Sequence, residues 1–136
     1  MSDTKIRGSN SDSSIENKLK PILKGLNSSS SHIEASAIMS RDGLNVASVL
    51  GDGVDSDRLG AMCAALLGLA DTTAKELNRG SLRQVLLHGS NGYMLITHVG
   101  KKAVLAVASK LGTNLGMVFV EAKKTAKKIE DILEQE

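Results

Sequence analysis

Val54-Asp-Ser-Asp-Arg-Leu-Gly-Ala-Met-Cys-Ala-Ala-Leu-Leu-Gly-Leu-Ala-Asp-Thr-Thr-Ala-Lys-Glu-Leu-Asn-Arg79 is the stretch on which the fold turns. Gly51-Asp-Gly53 interrupts whatever precedes it, Asp55, Ser56 and Asp57 offer caps and negative charge to a helix start, and Gly80 ends the run. Placed at 100° per residue, Leu59, Met62, Cys63, Leu66, Leu67, Leu69, Ala70, Thr73 and Leu77 form one broad face, read as the face that covers a sheet. The opposite face carries Gly60, Ala61, Ala64, Ala65, Gly68 and Thr72, and no charge falls between Leu59 and Ala70. Gly60, Ala64 and Gly68 repeat at i, i+4 and i+8, a stripe that lets a second helix approach closely. Each interior glycine costs ~1 kcal/mol of helix propensity, so a close contact is expected to offset it. A twofold contact needs only one self-complementary patch, and the expectation is a dimer in which these six residues meet their copies. The plainer alternatives are that these are merely small surface residues, or that a loop of the same chain lies over them.

Outward from this helix, residues 1–13 are polar and read as a disordered tail, followed by one domain over 14–136. Ile15, Leu19, Ile22, Leu23 and Leu26 recur at helical spacing, which predicts a helix over 14–26 with Pro21 as its irregularity. His32–Ser40 and Leu44–Leu50 alternate as strands around Asp42-Gly43, a hairpin turn. Beyond the long helix, Leu82–His88, Tyr93–Val99 and Ala103–Ser109 form a meander turned at Asn91-Gly92 and Gly100-Lys101. Thr113 or Asn114 caps a last helix with Leu115, Val118, Phe119, Ala122, Ala126, Ile129 and Leu133 on one face. The order α-ββ-α-βββ-α predicts an α+β fold, a five-stranded antiparallel sheet covered by helices.

Composition narrows the function. With 136 residues and 41% apolar content the chain can hold a core, but aromatic residues are only 1%, which argues against stacking nucleobases. A net charge of +2 is too small for a nucleic-acid footprint. One cysteine permits no intrachain disulfide, and neither a signal peptide nor a membrane span is visible, so the expected compartment is the cytoplasm.

The residues that carry chemistry elsewhere are scattered here. Cys63 sits on the core face, where a free thiol behaves as a small hydrophobe. His32, His88 and His98 show no paired ligand spacing, although His88 and His98 could meet across the Asn91-Gly92 hairpin. Gly51-Asp-Gly53 lacks the phosphate-loop pattern, and Asp52, Asp55 and Asp57 would repel an anion. Arg41, Arg58, Arg79 and Arg83 are candidates for an arginine inserted in trans into a partner's site, and nothing marks one out. No catalytic residue, cofactor or metal is therefore expected. Lys123, Lys124, Lys127 and Lys128 form a basic stripe on the last helix, diluted by Glu121, Glu130 and Asp131. It is a solvated face or a docking surface for an acidic partner or, at most peripherally, an anionic membrane.

Several segments resemble the Roadblock family, the dynein light-chain Roadblock type that includes the bacterial regulator MglB. They are Ala37-Ile-Met-Ser-Arg-Asp-Gly-Leu-Asn-Val-Ala-Ser48, the alanine-rich helix from Leu59, Gly92-Tyr93-Met-Leu-Ile, and Leu111-Gly-Thr-Asn-Leu-Gly116. The resemblance spans residues 14–134; the serine-rich start and Pro21 depart from it. It implies a profilin-like sheet and a homodimer, or a heterodimer with a related Roadblock chain, in which the middle helices meet. An edge strand then extends the sheet across the axis, by position Leu82, Arg83, Gln84, Val85 and Leu86, running on to His88. It further implies a non-catalytic regulator or co-scaffold of a Ras-like small GTPase, MglB-like members arranging the GTPase's own residues rather than inserting an arginine. The alternative within the resemblance is a purely structural adaptor that holds other proteins without a GTPase.

Overall fold

The computed structural model describes residues 2–135, with side chains from Ser14 onward. In chain order the elements are α1 (Ser2–Ser28), β1 (Ile33–Ser40), β2 (Asn45–Val49), α2 (Ser56–Glu76), β3 (Gln84–Gly89), β4 (Gly92–Val99), β5 (Ala103–Lys110) and α3 (Leu115–Gln135). The α+β class and the element order match the sequence reading; strand ends move by one or two residues.

The largest shift is at α1. The backbone is helical from Ser2, across the segment read as a tail, and it continues through Pro21 to Ser28. Leu19, Leu23 and Leu26 anchor its later turns in the core, and a nucleated helix extends at little cost per added residue. Pro21 is exposed, as is Asn17 four residues earlier, so the carbonyl that proline deprives of a partner lies where water can replace it.

The sheet order is β2-β1-β5-β4-β3, antiparallel throughout. Strand β1 therefore lies beside β5, with Ala37 opposite Ala106 and Ile38 opposite Leu105. The two edges are β2 and β3, and α2 carries the chain from one to the other. It must cross a whole face of the sheet to do so.

Alternation along the strands sends successive side chains to opposite faces and so builds two cores. On one face Ile38, Leu95, Leu105 and Val107 pack with Leu19 and Leu23 of α1 and Val118, Ala122 and Ile129 of α3. On the other, Ala37, Met39, Ile96, Val104 and Ala106 meet only Cys63 and Leu67 among the buried residues of α2. Asp55 caps α2 by accepting hydrogen bonds from the amides of Asp57 and Arg58 at 3.0 and 3.2 Å. At its other end Asn78 takes the left-handed conformation, φ 57°, ahead of Gly80. Asn114 caps α3, its side-chain oxygen accepting from the Met117 amide at 3.3 Å.

Candidate functional site

The doubly apolar helix does not sit as its sequence suggests. Gly43, in the β1–β2 turn at φ +92°, and Gly60 of α2 lie backbone against backbone, and a methyl group on Gly60 would run into the Gly43 carbonyl. A methyl on Gly43 would meet Gly60, Ala61 and Ala64 in turn. Two residues of the small-residue stripe, Gly60 and Ala64, are thus occupied by the chain's own hairpin, one of the alternatives left open above. Gly60 is buried and Ala64 half-buried, whereas Ala61, Ala65, Gly68 and Thr72 are exposed, with nothing within 4 Å of a methyl placed on Gly68.

Seating the Gly60 side on the hairpin fixes the rotation of α2. The buried direction passes through Cys63 and Leu67, with Leu59, Leu66 and Ala70 half-buried beside them. Three large residues read as core face outward instead: Met62 is 54% exposed, Leu69 69% and Leu77 60%; Thr73 is also exposed. The outer face therefore combines small residues with exposed apolar bulk, and this is the feature that the sequence reading missed. The charge-free window from Leu59 to Ala70 carried the signal that both faces are apolar. The phase was set by the weight of leucines, and only the Gly43–Gly60 contact corrects it.

Next to this face lies a free strand. β3 is an edge, paired on one side only, to β4, with Leu86 opposite Leu95 and Leu87 opposite Met94. Leu82 and Arg83 precede the strand rather than belong to it. Leu86 and Leu87 are each 39% exposed, Gln84 is exposed and Val85 half-buried. Unlike most natural edges, this one carries no charge within its span, which leaves its hydrogen-bonding groups unguarded.

Asp71 ties α2 to this edge. Its carboxylate bonds Lys75 at 3.0 Å and accepts from the Leu82 amide at 3.3 Å, and both hold its pKa below the ordinary carboxylate value. Beneath them His98 has a buried Nδ1 with no hydrogen-bond partner among the described residues. Burial first, and then the nearby Arg41 cation, push its imidazole below the usual histidine value, while Asp71 pulls the other way.

Against this geometry the Roadblock/LC7 domain family matches residues 22–109, which runs from α1 through the whole sheet. The chain belongs to the Roadblock/LC7 family. A relative in Methanocaldococcus jannaschii, the uncharacterized protein MJ1340, is 36% identical over 97 residues, 71% of this chain and 84% of that one. Myxococcus xanthus MglB has the same fold at 20% identity, with a TM-score of 0.80 over 88% of this chain and 90% of its own. Profilin IB of Acanthamoeba castellanii also superposes, at 15% identity and a TM-score of 0.61 over 82% of this chain and 96% of that chain. This Roadblock/LC7 domain is profilin-like, as the resemblance implied.

The other sequence candidates fall apart in space. Cys63 is fully buried and its thiol is pushed up by burial, away from the reactive thiolate. His88 stands opposite Tyr93 and stacks on it at 4.4 Å. His98 is five residues further along β4, opposite Val104, so the two histidines do not meet and that ligand pair is withdrawn. No cluster of three or more His, Cys, Asp or Glu is placed to hold a metal among the described residues. Arg58, Arg79 and Arg83 are exposed, and Arg41 donates to the Lys101 carbonyl at 3.3 Å. Lys123, Lys124, Lys127 and Lys128 are all exposed on α3. Lys124 pairs with Glu121 at 3.7 Å and Lys127 with Asp131 at 3.3 Å, which raises the Lys127 pKa. Among the described residues no helix is long and apolar enough to cross a membrane.

Proposed function

We propose that this Roadblock/LC7 chain is a non-catalytic, dimeric regulator or co-scaffold of a Ras-like small GTPase, acting in the cytoplasm. The observation that carries the pairing is the outer face of α2. Met62 and Leu69 stand exposed there among Ala61, Ala65, Gly68 and Thr72, beside the free edge of β3. Fully burying such a side chain is worth ~1.5–3 kcal/mol, and a twofold contact buries each residue twice. Helix α2 supplies the apolar patch; Gln84, Val85 and Leu86, approached past Leu82 and Arg83, supply the strand that a second copy, or a related Roadblock chain, would extend. Gly60 takes no part in that surface, because Gly43 already covers it.

The GTPase partner rests on family membership and on the resemblance to MglB-like members. A regulator of this kind works by presenting a shaped surface, and the scattered histidines and buried Cys63 suit a protein that leaves hydrolysis to its partner. The basic stripe Lys123, Lys124, Lys127 and Lys128 is a secondary docking surface in this account. The test loads a Ras-like GTPase from the same genome with GDP or a non-hydrolysable GTP analogue and measures binding and GTP turnover. Nucleotide-dependent binding with altered turnover supports regulation. Equal binding to both forms with unchanged turnover removes it and leaves a structural adaptor.

A further inference from the structure

Helices α1 and α3 lie together on the sheet face opposite α2, α1 over β1 and β2, and α3 over β4 and β5. Packed helices sit ~8–10 Å apart and strands ~4.8 Å apart, so two helices cover about four strands. The fifth, β3, has no helix above it on this face. The consequence is an open groove of about 510 Å³ between α3 and the β3–β4 ribbon.

Its apolar lining includes Leu95, Phe119 and Ala126, and Leu86 extends the same sheet face as the cross-strand neighbour of Leu95. Arg83 and Lys123 stand at the groove, both exposed, and neither forms an ion pair among the described residues. No carboxylate lines it. The Thr97 hydroxyl donates to the Arg83 backbone carbonyl at 3.5 Å, at the groove end of β3.

We propose that this groove docks an acidic amphipathic helix of a partner protein, laid beside α3 in the place a third helix would take. Its apolar stripe meets Leu86, Phe119 and Ala126, with the buried Leu95 as the floor beneath them, and its carboxylates meet Arg83 and Lys123. This mode of recognition lays an apolar helix face into a groove and takes its specificity from charge at the rim. The surface is distinct from the α2 face, although it shares Leu86 and Arg83 with the β3 edge proposed to pair: pairing uses the strand's free backbone edge, the groove the face that Leu86 shares with Leu95.

The probe is a designed peptide of about sixteen residues, roughly 24 Å as a helix, with leucines along one stripe and glutamates flanking it. Its control replaces every glutamate by lysine. Binding is followed by fluorescence anisotropy, and the site by amide shifts in labelled protein. The glutamate peptide is expected to bind about tenfold more tightly than the lysine peptide, with shifts centred on Leu86, Phe119 and Ala126. The double variant Arg83→Glu/Lys123→Glu should invert that preference while its thermal melt stays unchanged, since both side chains are exposed. Equal binding of both peptides, no binding at roughly 1 mM, or shifts centred on Met62 and Leu69 would overturn the proposal. So would dissociation of a dimer by Lys123→Glu alone, which lies on α3 away from the β3 edge, because a second copy would then be the occupant.

Discussion

The two faces of the sheet solve the same problem to different degrees. Among the described residues, fourteen that are buried on the α1–α3 face, from Leu19 to Ile129, form one cluster. On the α2 face the buried cluster has seven, while Met62 and Leu69 point outward into solvent. The difference follows from topology. Two helices share the first face, whereas the second has only the crossover that carries the chain from the β2 edge to the β3 edge. The first face is closed by two helices, and the second leaves large apolar side chains of its one helix exposed.

The sharpest way to break that comparison is to remove bulk from the closed face. Leu105→Ala, fully buried among α1, α3 and their neighbours, should cost ~2–5 kcal/mol in denaturant unfolding. A cost below 1 kcal/mol would mean that the closed face is not the main core. The next test uses two glycines of one helix. Gly60→Ala meets the Gly43 carbonyl and should lose ~1–3 kcal/mol despite the gain in helix propensity. Gly68→Ala enters open space and should gain up to ~1 kcal/mol in the monomer. Equal effects of the two would put the Gly43–Gly60 contact in error.

A smaller effect is expected from His98, under the α2 face. Its folded-state pKa is lowered, so below about pH 6.5, the ordinary imidazole value, the unfolded chain binds a proton that the folded one disfavours. Stability therefore falls as pH drops below that value. Asp71, whose pKa is also lowered, contributes stability above the ordinary carboxylate range and loses it only in stronger acid. The two windows are separate, and His98→Gln should flatten the dependence of melting temperature between pH 7 and about pH 5 without touching the acid limb. An unchanged slope would show that His98 is not a source of that loss.

Local chemistry made most of this fold readable. Asp42-Gly43, Asn91-Gly92 and Gly100 marked their turns, Asp55 and Asn114 their helix starts, and the short apolar run Ala103–Ser109 its strand. What local pattern does not encode is which distant strands pair, so the placement of β1 beside β5 emerged only in three dimensions. The same limit explains the α2 face. Gly60 appeared to belong with Gly68 because both sit on one stripe, at i and i+8 with Ala64 between, yet Gly43, seventeen positions before Gly60 in the chain, claims one and leaves the other open. Met62 and Leu69 were assigned inward by their size, and it is the close seat of Gly60 that turns them out.

The account stands most directly on sedimentation equilibrium of the wild-type chain and of Leu69→Glu. The wild type should run at twice the 14.3 kDa chain mass and Leu69→Glu at the single mass, with the same melting temperature for the dissociated monomers. A monomeric wild type, or a Leu69→Glu dimer as tight as the wild type, would contradict it.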